Sequence, residues 1–163
     1  MAKQSKLDWE ELAKLEVAST DNINFKMGDL LGRWCVIYFY PKDLTSGCTT
    51  EGQDFRDYFA EFASLGVDIY GVSRDNLSLH EKFKEKHDFP FALLSDSEEK
   101  LCQAFDVIKE KKNFGKTYMG IVRSTFLLNA EGEVVKSWRN VKVKGHVQAV
   151  LEATRELKKD LLD

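Results

Sequence analysis

A six-residue apolar run, Cys35-Val36-Ile37-Tyr38-Phe39-Tyr40, stops at Pro41 and gives way at once to a polar stretch. A continuous run of this length, rich in β-branched and aromatic residues, reads as a strand buried on both faces. Such a strand needs helices on either side of its sheet, and the flanking sequence supplies them. Phe55, Phe59 and Phe62 recur at i, i+4 and i+7, with Gly66 as a stop signal, which predicts one helix. Val67 to Val72 is a second buried strand. Ser78 and Glu81 have capping-box spacing and predict a helix start near Ser78. Phe91 to Leu94 is a short third strand, and Leu101, Ala104 and Phe105 mark the next helix. Ser124 to Leu128 and Glu133 to Trp138 flank Asn129-Ala130-Glu131-Gly132, a hairpin signal. Val147, Val150, Leu151, Thr154 and Leu157 line one face of a last helix.

Strand, helix, strand, helix, strand, then a hairpin and a helix make an α/β chain with a mixed central sheet flanked by helices. The order suits a thioredoxin-like fold. Residues 1–13 read as a charged N-terminal arm, either a short helix or loose, and residues 14–163 as one domain. At 163 residues the chain can bury roughly 70% of its unfolded surface. Its 24 basic and 27 acidic residues are interspersed, for a net charge of -3, which argues against a nucleic-acid partner. No apolar run approaches the ~20 residues that span a bilayer, and the charged start is no secretory signal, so the expected location is the cytoplasm.

Cys35, Cys48 and Cys102 are far apart, with no Cys-x-x-Cys and no histidine at zinc-ligand spacing. No metal or cofactor is expected. Cysteines so dispersed are either small core hydrophobes or reactive thiols. Cys48 differs from the others in its setting. A buried strand ends at Pro41, a polar loop follows, and Cys48 falls where the next helix starts. In α/β sheets ligands gather at the carboxyl ends of strands, and helix starts offer free N–H groups and partial positive charge. A thiol there is biased toward thiolate. Thr45 adds a hydroxyl able to donate and accept, and Gly47 leaves the backbone beside the sulfur uncovered.

Pro41-x-x-x-Thr45-x-x-Cys48 resembles the peroxiredoxin signature, and Tyr38-Phe-Tyr-Pro-Lys-Asp43 is similar to that of its bacterioferritin comigratory protein (PrxQ) subfamily. Tyr70 to Asp75, Leu93 to Asp96 and Gly120 to Phe126 resemble later blocks, the last containing the family arginine at Arg123. The similarity spans roughly residues 15 to 155. It implies a peroxidase acting on hydrogen peroxide and organic hydroperoxides. Cys48 would be the peroxidatic nucleophile, passing through a sulfenic acid. Thr45 would hydrogen-bond the peroxide, Pro41 would shield the thiolate, and Arg123 would hold it charged. Glu51 either orients Arg123 or simply stabilises the first helical turn. The reductant would be thioredoxin, glutaredoxin or a small thiol, and the chain a monomer or weak dimer. A non-catalytic peroxide sensor or holdase using the same thiol is the alternative.

Ionisation alone does not supply the rate such an enzyme needs. A thiol near 8.5 is only ~3% thiolate at pH 7, and bringing it to about 6 raises that roughly thirtyfold at a cost of ~3.4 kcal/mol. A helix start supplies ~0.3–1 kcal/mol, so a close cation is required. Nucleophilicity falls with thiol acidity, with a slope of about 0.4–0.5, which removes about tenfold. Only a few-fold survives. Arg123, Thr45 and the backbone N–H groups must therefore act mainly on the peroxide oxygens as the O–O bond breaks.

The chain departs from its relatives at several points. Ser46 stands where the subfamily commonly has proline, and the usual Pro-Asp-Phe is missing around Lys14 to Val17. Resolving cysteines are expected five residues after Cys48 or in the next helix, positions occupied here by Gln53 and Lys84. External resolution by a small thiol or redoxin therefore ranks first, Cys102 second, and Cys35 or an intermolecular bond third. Lys109 to Lys116 reads as a solvated charged loop in preference to a basic partner patch, and the three histidines as surface helix residues.

Overall fold

The computed structural model describes residues 7–162; the side chains of 160–162 are not described. A short helix α1 (Trp9–Leu12) leads into strands β1 (Glu16–Ser19) and β2 (Phe25–Lys26) and then a 3-10 turn, Met27–Leu30. The apolar run forms β3 (Trp34–Phe39). It is followed by α2 (Ser46–Asp57), α3 (Phe59–Ser64), β4 (Val67–Ser73), α4 (Leu77–His87), β5 (Ala92–Ser95) and α5 (Lys100–Ala104). A hairpin of β6 (Ile108–Asn113) and β7 (Lys116–Ile121), strands β8 (Ser124–Leu128) and β9 (Val134–Arg139), and helix α6 (His146–Leu162) complete the chain.

Seven strands form one sheet in the order β2-β1-β5-β4-β3-β8-β9. β3, β4 and β5 are parallel, whereas β1 and β8 run antiparallel to their neighbours, so the sheet is mixed. β3 lies inside it, paired with β4 and β8, as a run without polar breaks requires. Alternation along β3 divides the interior in two. Cys35, Ile37 and Phe39 join one buried cluster with Leu101, Cys102, Phe105 and Phe126. Val36, Tyr38 and Tyr40 join another with Cys48, Phe55, Phe62, Phe83 and Val150. Helices α2, α3, α4 and α6 therefore cover one face, and α1 and α5 the other. Trp9 ties α1 down, its indole N–H donating to the Gly132 carbonyl at 2.8 Å.

Four expectations need correction. The phenylalanine stripe does not run along one helix: the chain breaks at Tyr58 (φ -98°, ψ 5°), ending α2 and opening α3. Phe62 still reaches the core from α3, whereas Phe59, at the first position of α3, is only partly buried. The cap of α4 is Asn76, whose carboxamide oxygen accepts from Leu79 N–H at 2.9 Å, so Ser78 lies inside the first turn. Lys109 to Lys116 is no loop but the greater part of the β6–β7 hairpin. Phe114 (φ 52°) and Gly115 (φ 78°) form its turn, and two positive φ values match a type I′ connection. Finally, His80 and His146 are buried, both facing inward from their helices. Among the described residues no helix is long and apolar enough to cross a membrane.

Gly52 tests the packing beneath α2. A Cβ there would lie 2.4 Å from Cζ of Phe89. Phe89 cannot yield freely, being stacked on Phe91 at 5.2 Å and edge-on to Phe83 at 4.9 Å. Replacing a helical glycine by alanine ordinarily gains about 1 kcal/mol, whereas overpacking a core costs about 1–3 kcal/mol. Gly52→Ala is thus expected to destabilise the fold, lowering Tm by about 2–4 °C per kcal/mol of net loss in a thermal unfolding scan.

Candidate active site

Helix α2 begins one residue after Thr45, and Cys48 is its third residue. Thr49 N–H donates to Thr45 C=O, the first bond of the helix, so the N–H groups of Ser46, Gly47 and Cys48 lie ahead of the intrahelical ladder. Cys48 as a whole is only 2% exposed. Glu51, one turn further on, projects to the same side and is fully buried.

Arg123 arrives from the two-residue link between β7 and β8 and joins these groups. Its NH1 donates to Glu51 Oε1 at 2.6 Å, and its NH2 to Cys48 Sγ at 3.3 Å. Gly47 makes room for it, since a Cβ at that position would stand 3.2 Å from the same NH2. Burial pushes the Glu51 carboxyl up to about 7, against the pull of the guanidinium. Burial likewise opposes the charge on Arg123, but Glu51 and the thiol beside it more than offset this and hold it cationic. Glu51 is therefore more than an acidic residue at a helix start: it is a buried partner that fixes one edge of the guanidinium and leaves the other edge to the sulfur.

Thr45 occupies the N-cap position of α2 but does not cap it. Its hydroxyl donates to the Lys42 carbonyl at 2.8 Å, which leaves its lone pairs open to a ligand. Pro41 is half-buried in the same loop. Leu44 between them has φ 65°, a conformation that costs a γ-branched residue about 1–3 kcal/mol and survives only where neighbours enforce it.

The sequence reading passed over what lies beneath this loop. Asp43 is buried, with Tyr40 OH donating to its Oδ1 at 2.6 Å and His80 Nδ1 at 2.5 Å from its Oδ2. His80 Nε2 is 2.8 Å from the Leu94 carbonyl. Asp43 N–H donates to Asp75 Oδ2 at 2.7 Å, and Asp75 also accepts from Ser73 OH at 2.6 Å. Asp43, Asp75 and His80 lie close enough together to suggest a metal centre. Each donor atom of Asp43 and His80 already has a hydrogen-bond partner, however, which marks the cluster as a polar brace. Tyr40 and Asp43 were legible only as part of a family block, and His80 only as a helix residue.

Lys111 was also missed. It is partly buried in β6, and that burial, with the charges of Arg123 and Arg74, lowers the pKa of its ammonium. Cys102 and Cys35 are not brought to it. Cys102 is fully buried, with its N–H donating to Asp96 Oδ2 at 2.8 Å, and burial with Asp96 pushes its thiol well up. Burial pushes Cys35 up to about 12. Both belong to the cluster across the sheet from Cys48. Gln53 lies 3.4 Å from His87 Nδ1, and Lys84 donates to the Phe91 carbonyl at 2.7 Å and pairs with Asp21 at 3.1 Å.

His146 lies behind Arg123 at the start of α6, its Nε2 2.7 Å from Thr125 Oγ1. Burial and the charge of Arg123 bring it down to about 4. The unfolded chain therefore binds a proton that the folded one refuses between about 6.5 and 4. The resulting stability is complete above pH 6.5 and is lost as pH falls to 4. Between pH 7 and 4 the Tm of wild type should drop about 5 °C further than that of His146→Gln. Parallel Tm curves would show that His146 has no such role.

The family model described as the AhpC/TSA family matches residues 10–137. Peroxiredoxin Bcp of Bacillus subtilis is 54% identical over 143 residues, 88% of this chain and 91% of that protein. Peroxiredoxin Bcp of Xanthomonas campestris is 58% identical over 124 residues, covering 76% and 78%. A solved structure of the Xanthomonas campestris bacterioferritin comigratory protein, determined to explain alkyl peroxide reduction, superposes with a TM-score of 0.85 at 49% identity. It covers 90% of this chain and 94% of that one.

Proposed function

The chain belongs to the AhpC/TSA family, in its bacterioferritin comigratory protein branch, and is a thiol-dependent peroxidase with a thioredoxin-like fold; from that premise we propose the roles of its residues. Cys48 is the nucleophile. Its thiolate attacks one oxygen of R–O–O–H, forming an S–O bond as the O–O bond breaks. The sulfur is oxidised by two electrons to a sulfenic acid and RO⁻ departs, taking a proton to become ROH. The contact of Arg123 with both Cys48 Sγ and Glu51 carries this reading. A guanidinium held from behind by Glu51 meets thiolate and peroxide oxygen together, in a setting where one preorganised donor is worth about 10²–10³ in rate. The free N–H groups of Gly47 and Cys48 and the Thr45 hydroxyl complete the oxygen site, and Pro41 limits water at the sulfur. The relatives' alkyl peroxide chemistry supports organic hydroperoxides as substrates beside hydrogen peroxide.

Electrons return from an external thiol. A thiol R′SH displaces water from the sulfenic acid to give Cys48–S–S–R′, and a second thiol releases Cys48 as thiolate. The sheet between Cys48 and the other two cysteines supports this over internal resolution, because two Cα atoms more than ~7 Å apart cannot be bridged without backbone movement. Lys84 and Gln53, where resolving cysteines would stand, are held by polar contacts of their own. An open groove of about 390 Å³ runs beside Ser46, Gly47, Thr50 and Lys144 and offers an incoming thiol room next to the start of α2. Thioredoxin, glutaredoxin and glutathione-like thiols all fit this scheme. The protein works in the cytoplasm, where a thiol supply is maintained, as a monomer or weak dimer.

Cys48→Ser should abolish peroxide turnover, whereas Cys35→Ala, Cys102→Ala should keep most of it with dithiothreitol or glutathione. Loss of turnover in a folded double variant, with a Cys48–Cys102 disulfide in oxidised wild type, would overturn external resolution.

A further inference from the structure

Pro41 and Thr45 stand in a loop that has no ladder of its own. Tyr40 N–H donates to Val72 C=O, and Thr45 C=O accepts the first bond of α2. Between them, among the described residues, Pro41, Lys42, Asp43 and Leu44 make no backbone–backbone hydrogen bond. The loop nevertheless holds Leu44 at φ 65° and aims the Thr45 hydroxyl at the Lys42 carbonyl.

What restrains it is the buried brace on Asp43. Three bonds converge there from outside the loop's centre: Tyr40 OH and His80 on the carboxylate, and Asp75 on the N–H. His80 and Asp43 are both without exposed side-chain surface. Each anchor is itself anchored, His80 to the Leu94 carbonyl of β5 and Asp75 to Ser73 of β4, while Ser95 OH donates to the Asp75 carbonyl at 2.7 Å. The two imidazole nitrogens face a carboxylate and a carbonyl. Since a carbonyl can only accept, Nε2 carries a proton, and one further proton lies in the link between Nδ1 and Asp43. The brace thus ties the loop to the ends of two central strands and to α4. It reaches the loop midway between Pro41 and Thr45.

We infer that Asp43 and His80, with Tyr40, are positioning residues of the peroxide site: they hold the Pro41–Thr45 loop so that Thr45 meets the peroxide oxygen, without themselves touching substrate. The inference rests on the reading of Cys48 as nucleophile and Thr45 as peroxide ligand. It predicts a split between two reactions of one sulfur. Peroxide attack needs the aligned threonine; alkylation by iodoacetamide needs only the thiolate.

The test compares the second-order rate of peroxide reaction with that of Cys48 alkylation at one pH, in variants confirmed folded by thermal unfolding. Asp43→Ala should slow peroxide attack by about 30–100-fold, the scale of a misplacement near 1 Å, while alkylation stays within about threefold. Tyr40→Phe keeps the volume and removes one donor, so about a fivefold loss of peroxide rate is expected, and it carries the test if the alanine variant does not fold. Asp43→Asn should rescue to within about threefold of wild type, because an amide can accept from Tyr40 and donate to a neutral His80. Peroxide and alkylation rates that fall together would overturn the inference, as would wild-type peroxide rates in Tyr40→Phe and Asp43→Ala. Wild type alkylated at Cys48 that still turned over peroxide would instead remove the nucleophile assignment on which it rests.

Discussion

One guanidinium holds the site together. Arg123 touches a buried carboxylate with one nitrogen and a buried sulfur with another. Neither charged member of the trio would be tolerated so deep alone. An unpaired Glu51 at zero exposure would shed its charge, and its rise to about 7 despite Arg123 shows how strongly burial acts there. Arg123 offsets the burial of the Glu51 carboxylate, and Glu51 in turn makes the cation rigid beside the sulfur. The fold serves this contact in specific ways: Gly47 clears the approach, the β7–β8 link presents Arg123 beside the end of β3, and α2 places Cys48 and Glu51 one turn apart.

The sheet sets the second condition. Alternation along β3 sends Cys35 to one side and the aromatic packing around Cys48 to the other, and α5 adds Cys102 to the far side. The three thiols share a chain but not a compartment. Cys48 is buried on its own side of the sheet, with an open groove beside its neighbours Ser46 and Gly47 and no partner thiol in its cluster. On the proposed scheme, a sulfenic acid there would have no internal thiol to meet, and without an outside thiol it would be open to further oxidation.

Much of this was legible in the sequence because burial leaves a pattern. An apolar run ended by Pro41 marks a central strand, and a cysteine after a polar loop marks a helix start at a strand's carboxyl end. Peroxiredoxin chemistry could be read from Pro41, Thr45, Cys48 and Arg123 because the motif specifies spacing. What stayed hidden depended on long-range contact. His80 is a polar residue within a charged helix and gives no sign of being buried, since its partners lie 37 and 14 residues away. The helix break at Tyr58 leaves the phenylalanine period intact, so period alone could not reveal it. The β6–β7 hairpin was masked by its charges and by Phe114 occupying a turn position where Asn or Asp would be the usual signal.

The central claim is that Arg123 acts on the breaking O–O bond and not merely on the ionisation of Cys48. The direct test is the rate of peroxide attack against pH in wild type and Arg123→Ala, followed to where both sulfurs are fully thiolate. The account predicts that the two curves remain separated there by about 10²-fold or more. Curves that converge at high pH would contradict it, leaving Arg123 as a device for ionisation alone.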